Sequence, residues 1–211
     1  MSDDRVDNPF FARVWKFFSA HEPEVQRELR RENLAGLSGR VLEVGAGTGS
    51  NFVHYPTTVD EVVAVEPEPR LNVIARQTAA TAPVPVTVLD HAVEQVEPGT
   101  QFDAVVCSLV LCSVSDQEAV LRQLFSQLRP GGQLRYFEHV ASAGIRGRFQ
   151  RLLDATVWPR LLGNCHTHRD TETAIDNAGF ARESGRHEWT FPAWLPMPVS
   201  EHAIGRAVRP A

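Results

Sequence analysis

Cysteine is scarce in this chain: three in 211 residues, at Cys107, Cys112 and Cys165, with no C-x-x-C pair among them. An odd, scattered set argues against a disulfide framework and makes a structural zinc improbable; free thiols in a reducing compartment are expected. Positive charge is not in excess either. Lys and Arg number 21 against 26 Asp and Glu, a formal net charge of −5, which argues against a generic electrostatic hold on nucleic acid. The opening Met1-Ser2-Asp3-Asp4 is acidic and leads into no apolar signal core. Secretion is therefore not indicated, and the expected location is the cytoplasm. No apolar run is long enough to cross a bilayer: the longest, Phe102 to Val114, also holds Asp103. Internal repeats and low-complexity segments are absent. A hydrophobic fraction of 43% and a charged fraction of 22% are ordinary for a globular protein. The length fits one domain with a full core.

What the chain does have is a glycine loop. The stretch Val41-Leu42-Glu43-Val44-Gly45-Ala46-Gly47-Thr48-Gly49-Ser50-Asn51 is a short apolar strand with an acidic side chain, breaking into three glycines at alternate positions. Glycines so spaced let the backbone turn sharply and approach a ligand without Cβ interference. The next strand, Val62–Val65, ends in Glu66 about twenty residues on, as expected of a carboxylate that grips ribose hydroxyls. Nicotinamide or flavin dinucleotides and S-adenosylmethionine are both held this way. The dinucleotide fingerprint G-x-G-x-x-G requires glycine where this chain has Ser50, whereas Gly49 completes G-x-G-x-G.

Strands and helices alternate along most of the sequence, which predicts a single-domain α/β fold: a seven-stranded, mostly parallel sheet with helices on both faces. One or two helices are expected over Asn8–Arg31. Strands follow at Val41–Val44, Val62–Val65, Val86–Leu89 and Ala104–Cys107, the last nearly all apolar and so buried on both faces. Ser115 with Glu118 reads as a capping box opening a helix that Arg129-Pro130-Gly131-Gly132 ends. Gln133–Phe137 is the fifth strand. A helical stretch is expected around Gln150–Leu162 and a helix over Asp170–Ala178 stopping at Gly179, with Asp170 as N-cap. Strands at Glu188–Phe191 and Ala203–Val208 complete the set.

The G-x-G-x-G loop, Glu43 two residues before it, Glu66, and Phe102-Asp103-Ala104-Val105-Val106 make the chain resemble class I S-adenosylmethionine-dependent methyltransferases. A closer resemblance rests on Cys107-Ser108-Leu109-Val110-Leu111-Cys112-Ser113-Val114, Leu128-Arg129-Pro130-Gly131-Gly132 and Glu138-His139-Val140. Leu153-Asp154, Trp158, Gly163-Asn164-Cys165 and Arg169-Asp170 extend it. Together, from about Phe10 to Phe180, these are similar to the methyltransferase-like branch whose animal members are membrane-anchored alkyl thiol S-methyltransferases. The anchor helix of those relatives is absent, so a soluble protein with no membrane partner is expected. The segment after Arg182, with Trp189, Trp194 and four prolines from Pro192 to Pro210, has no counterpart in the resemblance.

The resemblance implies a division into a helical lid (1–38), a cofactor-binding core (39–140) and a substrate side (141–211). It also implies S-adenosylmethionine as cofactor and S-adenosylhomocysteine as product. The cofactor residues it points to are Glu43, Gly45, Ala46, Gly47, Asn51, Glu66 and Pro67, then His91 and Ala92 after the third strand, and Cys107 and Ser108 after the fourth. His91 stands where the family most often has an acidic residue. For the chemistry, His139 at the end of the fifth strand is a base or a histidine that hydrogen-bonds a loop. Asp154 receives a proton, orients a histidine, or caps within its own helix. Phe11, Trp15, Leu111, Trp158 and His166 are read as pocket residues, and the stripe Phe10, Phe11, Trp15, Phe18 as core or as the wall of the lid. His166 and His168 lack an evident third ligand, so no metal is expected, and Cys112 and Cys165 are read as small buried residues in preference to soft-metal ligands. An apolar pocket with few polar groups suits a small-molecule acceptor, with a thiol slightly favoured. O- or N-methylation of a secondary metabolite stays open, as does a catalytically silent cofactor-binding protein. Oligomeric state is not legible.

Overall fold

In the computed structural model, residues 7–97, 99–192, 195 and 197–211 are described. Two helices, α1 (Pro9–Ala20) and α2 (Glu24–Leu34), precede the sheet. The sheet is built from β1 (Gly39–Val44), β2 (Val59–Val65), β3 (Val86–Leu89), β4 (Phe102–Ser108), β5 (Leu128–His139), β6 (Ala181–Trp189) and β7 (Glu201–Val208). Between them run α3 (Pro69–Ala79), α4 (Gln117–Gln127), α5 (Gly144–Asp154), α6 (Trp158–Leu161) and α7 (Thr171–Asn177). Strand order is β3-β2-β1-β4-β5-β7-β6, with β7 antiparallel to both its neighbours and the other pairs parallel. The expected seven-stranded, mostly parallel sheet is what forms.

Alternation along the central strands divides the interior in two. Val41, Val62, Ala64, Ala104 and Val106 point to one face, where they pack with Leu34, Leu37, Phe52, Tyr55 and Ala75. Leu42, Val44, Val65, Val105 and Cys107 point to the other and meet Leu121 and Leu124 of α4 and Ile175 of α7. Both faces being covered, the central strands need no polar side, and their near-continuous apolar composition follows.

Several boundaries depart from the sequence reading. The N-cap of α4 is Asp116, whose Oδ1 accepts from the Ala119 N–H at 2.9 Å, one residue beyond the expected Ser115. The stretch expected around Gln150–Leu162 is two helices, α5 starting earlier at Gly144 and α6 restarting at Trp158 with Pro159 in its first turn. Strand β6 spans Ala181–Trp189 in place of Glu188–Phe191. It is an edge strand with nearly every residue exposed, and it carries Arg182, Glu183, Arg186 and His187, so no burial alternation marks it. The stripe expected on α1 splits. Phe11 and Trp15 are half-buried and stacked at 6.0 Å, while Phe10, Phe17 and Phe18 are more than half exposed and form no core. Trp194 lies outside the described residues. Among the described residues, no helix is long and apolar enough to cross a membrane.

Candidate active site

Strand order reverses between β1 and β4, and in such a sheet ligands bind beyond the carboxyl ends at that point. The glycine loop follows β1 there. Gly45 and Gly47 take φ of +64° and +58°, which a Cβ would strain, and neither has room for one. A Cβ on Gly45 would meet Val110 at 2.4 Å, and one on Gly47 would lie 2.6 Å from Trp15 Nε1. Helix α1 thus rests directly on the loop.

Beneath the loop lies a buried polar network. Glu43 accepts from Tyr55 Oη at 2.6 Å and from Asn51 Nδ2 at 3.1 Å; the same Nδ2 donates to Ser108 Oγ at 3.1 Å. Asn51 Oδ1 accepts from Arg30 Nη1 at 3.0 Å, and Arg30 pairs with Glu22 at 2.7 Å, both side chains nearly out of solvent. Burial pushes the Glu43 carboxyl up to about 7 against the pull of Tyr55, Arg30 and Asn51. Both Glu43 oxygens and the Ser108 hydroxyl are therefore engaged in holding the loop. Arg30 and Tyr55 were missed in the sequence, because an arginine in a helix reads as a solvated face.

Glu66 stands at the end of β2. Its oxygens accept from Gly47 N–H at 2.7 Å and Glu68 N–H at 2.9 Å, tying β2 to the glycine loop, and burial raises its carboxyl to about 7. Each oxygen keeps a lone pair, as a ribose-binding carboxylate must. Pro67 follows it, half-buried. After β3, His91 Nδ1 lies 2.9 Å from Ala92 O, and the Ala92 N–H donates to Gln95 Oε1 at 3.3 Å. Cys107 faces the apolar interior, fully buried, and burial raises its thiol well above the ordinary value. The glycine cradle and the Glu66 carboxylate fit an adenosyl cofactor.

Opposite the loop, three segments converge. Cys112 follows β4, His139 ends β5, and Cys165 follows α6. One ligand-capable atom from each lies within 4.8 Å of the others. His139 Nε2 is 3.1 Å from Cys165 Sγ, and Trp158 Nε1 donates to that sulfur at 3.4 Å. The hydrogen bond from Cys112 lowers the Cys165 thiol although burial opposes it. The same contact and burial push Cys112 well up. Burial pulls His139 down, but the neighbouring Cys112 and Glu138 outweigh it and its value is raised. The ring is buried, and its Nδ1 has no hydrogen-bond partner among the described residues.

The convergence is held by backbone. The His166 N–H donates to Cys112 O at 2.8 Å, Asn164 Nδ2 to Ser113 O at 2.9 Å, and Arg169 Nη1 to Leu111 O at 2.6 Å. Buried Glu138 accepts from the N–H groups of Val110 and Leu111, both at 3.0 Å. Leu109 and Asn164 adopt φ of +60° and +62°, uncommon for residues with side chains, where their loops turn into the site. Glu138 was noted only as part of a motif in the sequence, and nothing there marked it as the anchor of this loop.

Asp154 has another occupation than proton transfer: Oδ1 accepts from Thr167 N–H and Oγ1, and Oδ2 from His168 N–H. It fixes the loop that carries Cys165 and His166. His168 turns to Arg151 at 3.0 Å, and His166 is half-buried with its pKa lowered by burial. The cysteines read as small apolar residues instead have polar partners. Phe11 and Trp15 join the two halves: Trp15 covers Gly47, and Phe11 covers Gly163, where a Cβ would meet its ring at 2.9 Å. Leu111 is fully buried and Trp158 half-buried beside Cys165.

A family profile described as a methyltransferase domain matches residues 18–185. The chain belongs to the methyltransferase family. It is 34% identical over 206 residues to the thiol S-methyltransferase TMT1B of Mus musculus, covering 94% of this chain and 82% of that protein. With the thiol S-methyltransferase TMT1A of Homo sapiens it shares 33% identity over 211 residues, 95% of this chain and 84% of that one. Among solved structures, the N-methyltransferase NodS from Bradyrhizobium japonicum WM9 in complex with S-adenosylhomocysteine superposes with a TM-score of 0.67 at 18% identity. That match covers 97% of this chain and 90% of NodS, and at such identity it speaks for the fold alone. Use of S-adenosylmethionine agrees with both the family and the cradle around Gly45, Gly47 and Glu66.

Proposed function

We propose that the protein transfers the methyl group of S-adenosylmethionine to the sulfur of a small apolar thiol, releasing S-adenosylhomocysteine. The observation that carries this reading is the aromatic bridge. Trp15 sits on the cofactor loop at Gly47 and Phe11 on Gly163, two residues before Cys165, so one apolar wall runs from the cofactor cradle to the Cys112–His139–Cys165 cluster. An acceptor held along that wall meets the glycine loop at one end and the cluster at the other. The thiol S-methyltransferases of mouse and human, matched over nearly the whole chain, favour sulfur as the acceptor atom.

The cofactor supplies an activated methyl group on sulfonium, so the protein's task is alignment and nucleophile preparation. In this reading the backbone of the glycine loop and Glu66 fix the donor, with Asn51, Glu43 and Ser108 supporting the loop from below. Phe11, Trp15, Leu111 and Trp158 exclude water. His139, at the cluster end of that wall, favours the thiolate form of the acceptor. A thiol with a reference pKa near ~8.5 needs only modest help of this kind.

The test is a side-by-side screen of thiols, phenols and amines for release of S-adenosylhomocysteine. Turnover is expected with apolar thiols, and His139→Ala is expected to lower it by about 10²-fold while cofactor affinity holds. Turnover with phenols or amines and with no thiol would defeat the sulfur assignment.

A further inference from the structure

We propose that Cys112, His139 and Cys165 are three ligands of a zinc ion whose fourth position takes the acceptor sulfur. The second half of that statement rests on the thiol reading above; the first half does not.

The side chains come from three separate segments, with Cys165 26 positions after His139, yet their ligand atoms lie within 4.8 Å of one another. A tetrahedral zinc site with Zn–S of about 2.3 Å and Zn–N of about 2.0–2.1 Å needs ligand atoms roughly 3.5–3.8 Å apart. The spacing here requires only small side-chain adjustments. The donor set is the one zinc selects, two soft thiols and an imidazole, and three protein ligands with an open place is the pattern of catalytic rather than structural zinc. The site is also built before any ion arrives. Cys112 and His139 are buried, the loops bearing the two cysteines are locked together by the His166 and Asn164 hydrogen bonds, and Glu138 and Asp154 brace them from either side. His139 would bind through Nε2, the nitrogen that already faces Cys165 Sγ at 3.1 Å. His166 and His168 take no part, so the pair that looked metal-like in the sequence is not the one that converges.

Charge balance favours the chemistry. Zinc with two thiolates and a neutral imidazole is neutral; an acceptor thiol that binds loses its proton to solvent and enters as thiolate, leaving the centre with one negative charge. That charge faces the sulfonium. The acceptor sulfur forms the new C–S bond, the donor C–S bond breaks with its electron pair passing to the donor sulfur, and both products are neutral. The thioether is a weaker ligand than the thiolate and departs.

The experiment uses the full chain, reduced with a phosphine and containing no small thiol. One equivalent of zinc is expected by elemental analysis. Cobalt(II) in its place is expected to give thiolate charge-transfer absorption and tetrahedral visible bands. Cys112→Ser, Cys165→Ser and His139→Ala should each weaken cobalt binding by more than the ~10–100-fold that loss of an outer-sphere partner costs, with S-adenosylhomocysteine affinity retained as the sign of an intact fold. His168→Ala should leave it unchanged. The spectrum of the parent protein stands whether or not the variants fold. A reduced parent that binds S-adenosylhomocysteine but takes up neither metal would overturn the site, as would isolation of Cys112 and Cys165 as a disulfide from a reducing cytosol. Zinc binding with unaltered cobalt bands on adding an apolar monothiol, in a protein that methylates that thiol, would overturn the fourth-position role and leave the thiol reading standing. Zinc binding without any thiol turnover would keep the ion and remove the thiol reading.

Discussion

Two carboxyl groups in the cofactor half are held far from their ordinary range by burial. Glu43 and Glu66 are each raised from 4.5 to about 7. The folded chain therefore keeps protons that the unfolded chain has released, and stability from these groups is greatest below ~4.5 and is lost as pH rises toward 7. With Glu66 as the proposed ribose acceptor, cofactor binding should have the opposite slope, because hydroxyls donate best to an ionised acceptor. Affinity for S-adenosylhomocysteine should increase as pH rises through 7, and Glu66→Gln should flatten that rise. Glu43→Gln should leave the rise in place, because Glu43 meets Tyr55 and Asn51 under the loop. Titration calorimetry across pH 6 to 8, roughly the window around these values, separates the two. Glu66→Ala should cost about 1–3 kcal/mol of cofactor binding at neutral pH. At Gly47 the backbone decides. With φ at +58° and Trp15 over it, Gly47→Ala should destabilise the fold by about 1–2 kcal/mol and push α1 outward. Denaturant melts and Trp15 fluorescence would both register this, and an unchanged emission maximum would mean α1 does not rest on the loop.

At the level of elements, β1 to β4 were legible because their runs are rich in apolar and β-branched residues bounded by turn residues. By contrast, β5 starts earlier than expected: Arg129-Pro130-Gly131-Gly132, read as the turn that ends α4, lie inside the strand, which pairs with β4 from Leu128 onward. Strand β6 was misplaced because its residues are polar and exposed, and its place at the edge is set by pairing with β7 instead of by any pattern of its own. The same strand carries a pH-sensitive clamp. His187 lies 2.9 Å from Glu201 of β7 and 3.0 Å from Glu172 of α7. Burial pulls its pKa down, the hydrogen bonds to the two glutamates push it up more, and the net value is raised. A raised histidine contributes stability fully below its unfolded value, and that contribution is lost as pH rises through the folded one. His187→Gln should therefore lower the melting temperature at acidic pH and match the parent at alkaline pH. The side chain is 42% exposed, so screening keeps the effect below about 1 kcal/mol. A deficit equal at both pH values would show that the ring acts by packing alone.

At the scale of the molecule, the strand-end chemistry falls into two halves that differ in how far the sequence discloses them. The cofactor half is contiguous: loop, Asn51 and Glu66 lie within the single stretch from β1 to the end of β2, so spacing alone announces them. The cluster of Cys112, His139 and Cys165 forms only where the β4–β5 connection, the end of β5 and the β5–β6 connection meet, and no local pattern marks residues so far apart. The Arg30 contribution to the loop is hidden for the same reason, since α2 lies outside that stretch. Cofactor choice belongs to the contiguous half and can be read from global stability. A ligand that binds only the folded chain stabilises it by about 2.7 kcal/mol at a hundred times its dissociation constant, which for a domain of this length corresponds to a rise in melting temperature of roughly 5–10 °C. S-adenosylhomocysteine should produce that rise and NADH none, because Ser50 and the Phe52 ring packed against Gly49 occupy the place where a dinucleotide loop needs its third glycine. A thermal shift with NADH that exceeds the shift with S-adenosylhomocysteine would reverse the assignment of the loop and, with it, the identity of the donor.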